Sequence, residues 1–135
     1  MFNKKRQPPI KSLIAHCSQI DGAIIFSEGL RVDGTVVGNI NARLDQPSIL
    51  VISESATVTG EIHADHIIIN GSVNGPVHAR VLLELQPKAR ILGDVHYIAL
   101  EMHQGAMVAG QLRPVVGLQE KPTLKLASNS SVLNG

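Results

Sequence analysis

Apolar residues alternate with polar ones in short bursts along this chain, and the bursts repeat. The pattern small-x-Val-x-Gly-x-Val occurs as Gly34-Thr35-Val36-Val37-Gly38-Asn39-Ile40 and again as Ala56-Thr57-Val58-Thr59-Gly60-Glu61-Ile62. It returns as Gly71-Ser72-Val73-Asn74-Gly75-Pro76-Val77, Ala89-Arg90-Ile91-Leu92-Gly93-Asp94-Val95 and Ala106-Met107-Val108-Ala109-Gly110-Gln111-Leu112. The central glycines stand 22, 15, 18 and 17 residues apart. A weaker copy lies at Ile20-Asp21-Gly22-Ala23-Ile24-Ile25-Phe26. A period of two predicts strands, and an apolar face this short is buried only by stacking copies on one another.

Read as columns, the copies align Val36, Val58, Val73, Ile91 and Val108, then Ile40, Ile62, Val77, Val95 and Leu112. A small column runs through Gly34, Ala56, Gly71, Ala89 and Ala106. The glycines mark corners, and the spacers before the small residue vary in length, as insertions at a solenoid corner do. About 17 residues per turn predicts about six coils over residues 17–113, a rod about 30 Å long at the usual strand spacing. A left-handed hexapeptide helix needs a six-residue period that is missing here. A two-sheet sandwich needs hairpin turns at regular places, whereas Asp21-Gly22, Asp33-Gly34 and Asn70-Gly71 fall inside the repeat. The expected fold is an all-β, right-handed parallel β-helix. Residues 1–16 and 114–135 are expected to be disordered tails.

Composition agrees with this picture. Aromatic residues make up only 2% of the chain, so the core must be built from Val, Ile, Leu and Ala. Net charge is +1, but residues 1–16 hold Lys4, Lys5, Arg6 and Lys11 with no acid, while the body carries more acids than bases. An acidic body argues against a nucleic-acid surface. Cys17 has no internal partner, which fits a reducing compartment. Lys4, Lys5 and Arg6 lead into Pro8-Pro9 rather than an apolar stretch, so no signal peptide is expected, and no apolar run is long enough for a membrane helix.

Candidate chemistry is sparse. His63, His78 and His96 share one column, three residues after the repeat glycine, continued by Asn41 and Arg113. They are expected to stack as a solvent-facing polar ladder and not as a metal site, because no cysteine or carboxylate is evident beside them. Asp33, Asp65 and Glu84 form no obvious catalytic pair. No Gly-Lys-Ser/Thr follows the glycine-rich segments. His16 beside Cys17 reads as a chance neighbour. Neither a catalytic site nor a cofactor is expected.

The run Gly29-Leu30-Arg31-Val32-Asp33-Gly34-Thr35-Val36-Val37-Gly38-Asn39-Ile40 resembles the opening signature of the bactofilins, bacterial polymer-forming cytoskeletal proteins. Ile69-Asn70-Gly71-Ser72-Val73-Asn74-Gly75-Pro76-Val77-His78-Ala79 resembles that family's central repeat. Pro76 departs from a plain strand by lacking an N–H, and must stand at a corner or face away from the ladder. The resemblance implies a right-handed β-helix that joins end to end into filaments without nucleotide. It also implies roles in cell shape or morphogenesis and in placing cell-wall or polar proteins. Met1-Phe2 followed by Lys4, Lys5 and Arg6 resembles the family's short membrane-targeting peptide, which implies a place at the cytoplasmic face of the inner membrane.

Open ends are the physical reason to expect polymerisation, because a solenoid without caps presents unpaired backbone and apolar cross-sections. Ile20, Ile24 and Phe26 are the expected contacts at one end, and Met102, Val108 and Leu112 at the other. The expected partners are further copies of this chain, an anionic membrane surface, and cell-wall enzymes or polar proteins. The alternatives are a non-polymerising adaptor recruiting through Pro8-Pro9 and residues 113–123, or a β-helix enzyme acting on carbohydrate or transferring acyl groups. The longest insert, Arg43–Ser48, is short for an enzyme groove.

Overall fold

A computed structural model describes residues 7–115. Among them there is no helix. All sixteen strands pair in parallel with strands of neighbouring turns. Six three-residue strands, Gln19–Asp21, Thr35–Val37, Thr57–Thr59, Ser72–Asn74, Arg90–Leu92 and Met107–Ala109, form one sheet. A second ladder holds Ser12–Ile14, Gly29–Val32, Ile49–Ile52, then the later halves of Ile62–Ile69 and Val77–Leu85, then Ala99–Met102. The third holds Ile24–Phe26, Ile40–Ala42, the first halves of the same two long strands, Val95–Tyr97 and Leu112–Pro114. Each turn visits the three ladders once. The result is a β-solenoid of about six turns.

The columns read from sequence are columns in space. Val36 pairs with Val58, Val58 with Val73, Val73 with Ile91, and Ile91 with Val108. Ile40, Ile62, Val77, Val95 and Leu112 align in the same way. Leu50, Ile67 and Leu83, with Ile52, Ile69 and Leu85, complete an aliphatic core with essentially no exposure. At the glycine corner the turns approach so closely that a Cβ on Gly60 would lie 2.1 Å from the Gly38 carbonyl oxygen. The extra residues before the small column are absorbed as tight turns, with Ala56, Ala89 and Ala106 donating N–H to Ser53, Gln86 and His103. Pro76 stands between Ser72–Asn74 and Val77–Leu85, where its carbonyl accepts from Ile62 and no N–H is needed. One register shift, between Ala79 and Leu82, fits Arg80 and Val81 opposite the single Asp65.

The insert Arg43–Ser48 is closed by Asp65. Ser48 N–H donates to Asp65 Oδ2 at 3.1 Å, Asp65 N–H donates to Ser48 Oγ at 3.0 Å, and Arg80 Nε donates to Asp65 Oδ1 at 2.9 Å. The expected boundaries move outward. Ser12–Ile14 pairs with Leu30–Val32, so β-structure starts before residue 17. At the other end Leu112–Pro114 is a strand, and Val115 N–H donates to the Tyr97 carbonyl. Ser12–Ile14 precedes the first repeat glycine, which is why the pattern passes over it, whereas Leu112–Pro114 follows Gly110 and runs on past the last copy.

Candidate functional site

Two features stand out on this frame: the ends of the core columns and the histidine ladder. Column members inside the rod are sealed, whereas the terminal members are not. Ile20 is 37% exposed, and Met102 and Leu112 are each 44% exposed, against 0% for Val36, Val58, Ile40 and Ile62. Ile24 and Val108 are partly buried against the core. Among the described residues, then, the end turns present the apolar side chains that a further turn would cover. Phe26 departs from the expectation. It is 6% exposed and belongs to the core cluster. It pairs with Ala42, and the small Ala42–Ala64–Ala79 column beneath leaves room for its ring to turn inward. Met1, Phe2, Lys4, Lys5 and Arg6 lie outside the described residues.

His63, His78 and His96 do stack. Their ring centroids are 4.2 and 4.4 Å apart, with planes 3° and 6° from parallel. In-register pairing places them there: Asn41 pairs with His63, His63 with His78, His78 with His96, and His96 with Arg113. The expectation that no carboxylate joins them is overturned. Glu61 Oε2 lies 3.0 Å from His63 Nε2 and 2.8 Å from His78 Nε2. Alternation carried the signal, since residues two apart share a face and Glu61 precedes His63 by two. The corner position above Glu61 belongs to Pro76, whose side chain offers no competing charge.

His63 and Glu61 are hydrogen-bonded, but the contact from His78 Nε2 is out of line, and that buried nitrogen has no hydrogen-bond partner. Burial lowers the His78 pKa, helped by repulsion from His63 and His96 and opposed by Glu61. The hydrogen bond with His63, then the nearby His63 and His78 charges, hold the Glu61 carboxyl below its ordinary range against a desolvation cost. A second cluster joins Glu84, Glu101 and His103, with His103 Nε2 3.2 Å from Glu84 Oε2, in a more exposed setting. Asp33 sits with Arg31 and Ser53, and Asp65 with Ser48 and Arg80, so these two acids serve separate structural contacts. Cys17 is exposed, on a turn with φ of 76°.

A stack of in-register parallel turns, with an aliphatic core that runs to both ends, defines a structural solenoid. The chain matches the bactofilin family, described as polymer-forming cytoskeletal, over residues 12–113, and it belongs to that family. It is 27% identical over 111 residues to bactofilin BacO of Myxococcus xanthus, covering 82% of this chain and 85% of that protein. No solved structure matches it significantly.

Proposed function

We propose that this protein is a non-enzymatic cytoskeletal scaffold whose rods join end to end into filaments without nucleotide. The reading rests on the core columns, which among the described residues are sealed through the middle turns and partly exposed at the terminal ones. Docking one end on another continues every column, pairs the free backbone groups of the last turn and removes Ile20, Met102 and Leu112 from water. In-register stacking needs no ligand to set its geometry. Lys4, Lys5 and Arg6 behind Met1-Phe2 support a further step: the filament lies on the anionic cytoplasmic face of the inner membrane. There it supports cell shape or morphogenesis and positions cell-wall or polar proteins.

Negative-stain electron microscopy and light scattering of the full chain test polymerisation. Filaments are expected in ordinary buffer without nucleotide, and Leu112→Asp or Met102→Asp is expected to leave short rods with an unchanged β-sheet circular dichroism spectrum. Monomers at every concentration of the unaltered chain would overturn the proposal.

A further inference from the structure

We infer that Glu61, His63 and His78 form a binding site for a divalent transition ion of the borderline class, Zn²⁺ foremost. The three ligand atoms, Glu61 Oε2 and the two Nε2 atoms, all lie within 4.8 Å of one another. Two imidazoles and one carboxylate are a donor set that Zn²⁺ takes readily and that Mg²⁺ and Ca²⁺, which prefer oxygen cages, do not. His78 Nε2 is the most telling atom: buried, without a hydrogen bond, and 2.8 Å from the carboxylate oxygen. A buried polar atom without a partner is unusual in a folded protein, and an ion supplies that partner.

The required movement is small and defined. Ligands at tetrahedral angles around Zn²⁺ stand about 3.3 Å apart, given metal–ligand bonds of about 2.0–2.1 Å. The carboxylate–imidazole separations of 3.0 and 2.8 Å need to open by only a few tenths of an ångström. The rings must do more, because in the stacked arrangement their planes are 3° from parallel and their lone pairs run side by side. Rotation about the side-chain torsions turns the two Nε2 atoms toward a common point. Both side chains are about one-third exposed, but His78 is held between His63 and His96 at 4.2 and 4.4 Å, so His63, with a ring on one face only, makes the larger turn. Glu61 supplies the negative charge, and its backbone is held by the corner, where its N–H donates to Asn39 Oδ1 at 2.9 Å. The site lies on the side of the rod, so it does not depend on whether the ends are joined.

Titration calorimetry of the full chain with ZnCl₂ tests the inference, with thermal unfolding before and after addition of EDTA. One Zn²⁺ per chain is expected, together with a rise in unfolding temperature that EDTA reverses and that Mg²⁺ does not reproduce. His63→Asn and His78→Asn suit the fold, because Asn41 occupies the same column. Each of these, and Glu61→Gln, is expected to weaken binding by about tenfold or more, at least the loss seen when outer-shell partners of a metal are removed. His103→Asn, in the second cluster, is expected to leave it unchanged. Absence of binding at saturating Zn²⁺ would overturn the inference. So would binding that survives His78→Asn and Glu61→Gln but is lost in His103→Asn.

Discussion

At Gly60 the backbone holds a φ of 151°, and the Gly38 carbonyl fills the place of a Cβ. The same contact recurs one turn later, where a Cβ on Gly75 would lie 2.2 Å from the Gly60 oxygen. A side chain here meets rigid backbone rather than a flexible neighbour, and the turns must part to admit it. Gly60→Ala is therefore expected to cost at least the ~1–3 kcal/mol of a strained backbone residue, read as a lower unfolding temperature. Charged corners contribute differently. Ser53 first and Arg31 second hold the Asp33 carboxyl below its usual range, and Arg31 Nε donates to Asp33 Oδ1 at 2.8 Å. A depressed folded pKa stabilises the protein above the unfolded value of about 3.9, and that contribution disappears as pH falls through the folded pKa. Asp33→Asn is expected to unfold at a slightly lower temperature than the parent at pH 7. The two curves are expected to converge in strong acid, and a difference that persists there would reject the linkage.

A strand's depth in the stack sets how much its core-facing side chain contributes. Ile62 and Leu112 occupy one column, but Ile62 is fully buried while Leu112 is 44% exposed. Ile62→Ala is expected to cost about 2–5 kcal/mol, the usual range for emptying an aliphatic core site, and Leu112→Ala much less. Chemical denaturation of the two variants measures the contrast. The same reasoning separates Phe26 from the other proposed end contacts, because a charge at a core position removes the fold along with any filament. Phe26→Asp is expected to lose its β-sheet circular dichroism signal, whereas Leu112→Asp keeps it. The repeat made the columns, corners and histidine stack legible in sequence, because a parallel in-register stack turns spacing directly into neighbourhood. Depth was not legible. Spacing places Phe26 in a column with Ala42 but does not say that small neighbours let its ring fold inward. The first strand, Ser12–Ile14, precedes the glycine repeat, and the pairing of Glu61 with His63 emerges only when residues two apart are taken to share a face.

At the scale of the whole rod, the proposed function couples the two ends and the basic N-terminal segment by number. A base near an anionic leaflet contributes about 1 kcal/mol, so Lys4, Lys5 and Arg6 together supply about 3 kcal/mol per chain, and Phe2 adds an apolar contact. An association constant built from that alone leaves a single chain mostly in solution. Joining chains makes each further contact intramolecular, and avidity multiplies affinity by about 10²–10⁴ without any new interaction. Membrane binding should therefore depend on the ends of the rod as well as on the tail. Co-sedimentation with vesicles containing anionic lipid separates the two contributions. At a speed that pellets vesicles but leaves free filaments in solution, the unaltered chain is expected in the pellet and a chain beginning at Lys11 in the supernatant, although it still forms filaments. Leu112→Asp, with its tail intact, is expected to bind weakly, and it should regain binding when several copies are tethered on a multivalent carrier. Equal sedimentation of the Lys11 chain and the full chain would remove the tail from the mechanism. Full binding by monomeric Leu112→Asp would remove avidity. Binding should also fall as salt rises, because the attraction is screened over about 10 Å at 0.1 M ionic strength, while the filaments, joined through aliphatic ends, should persist.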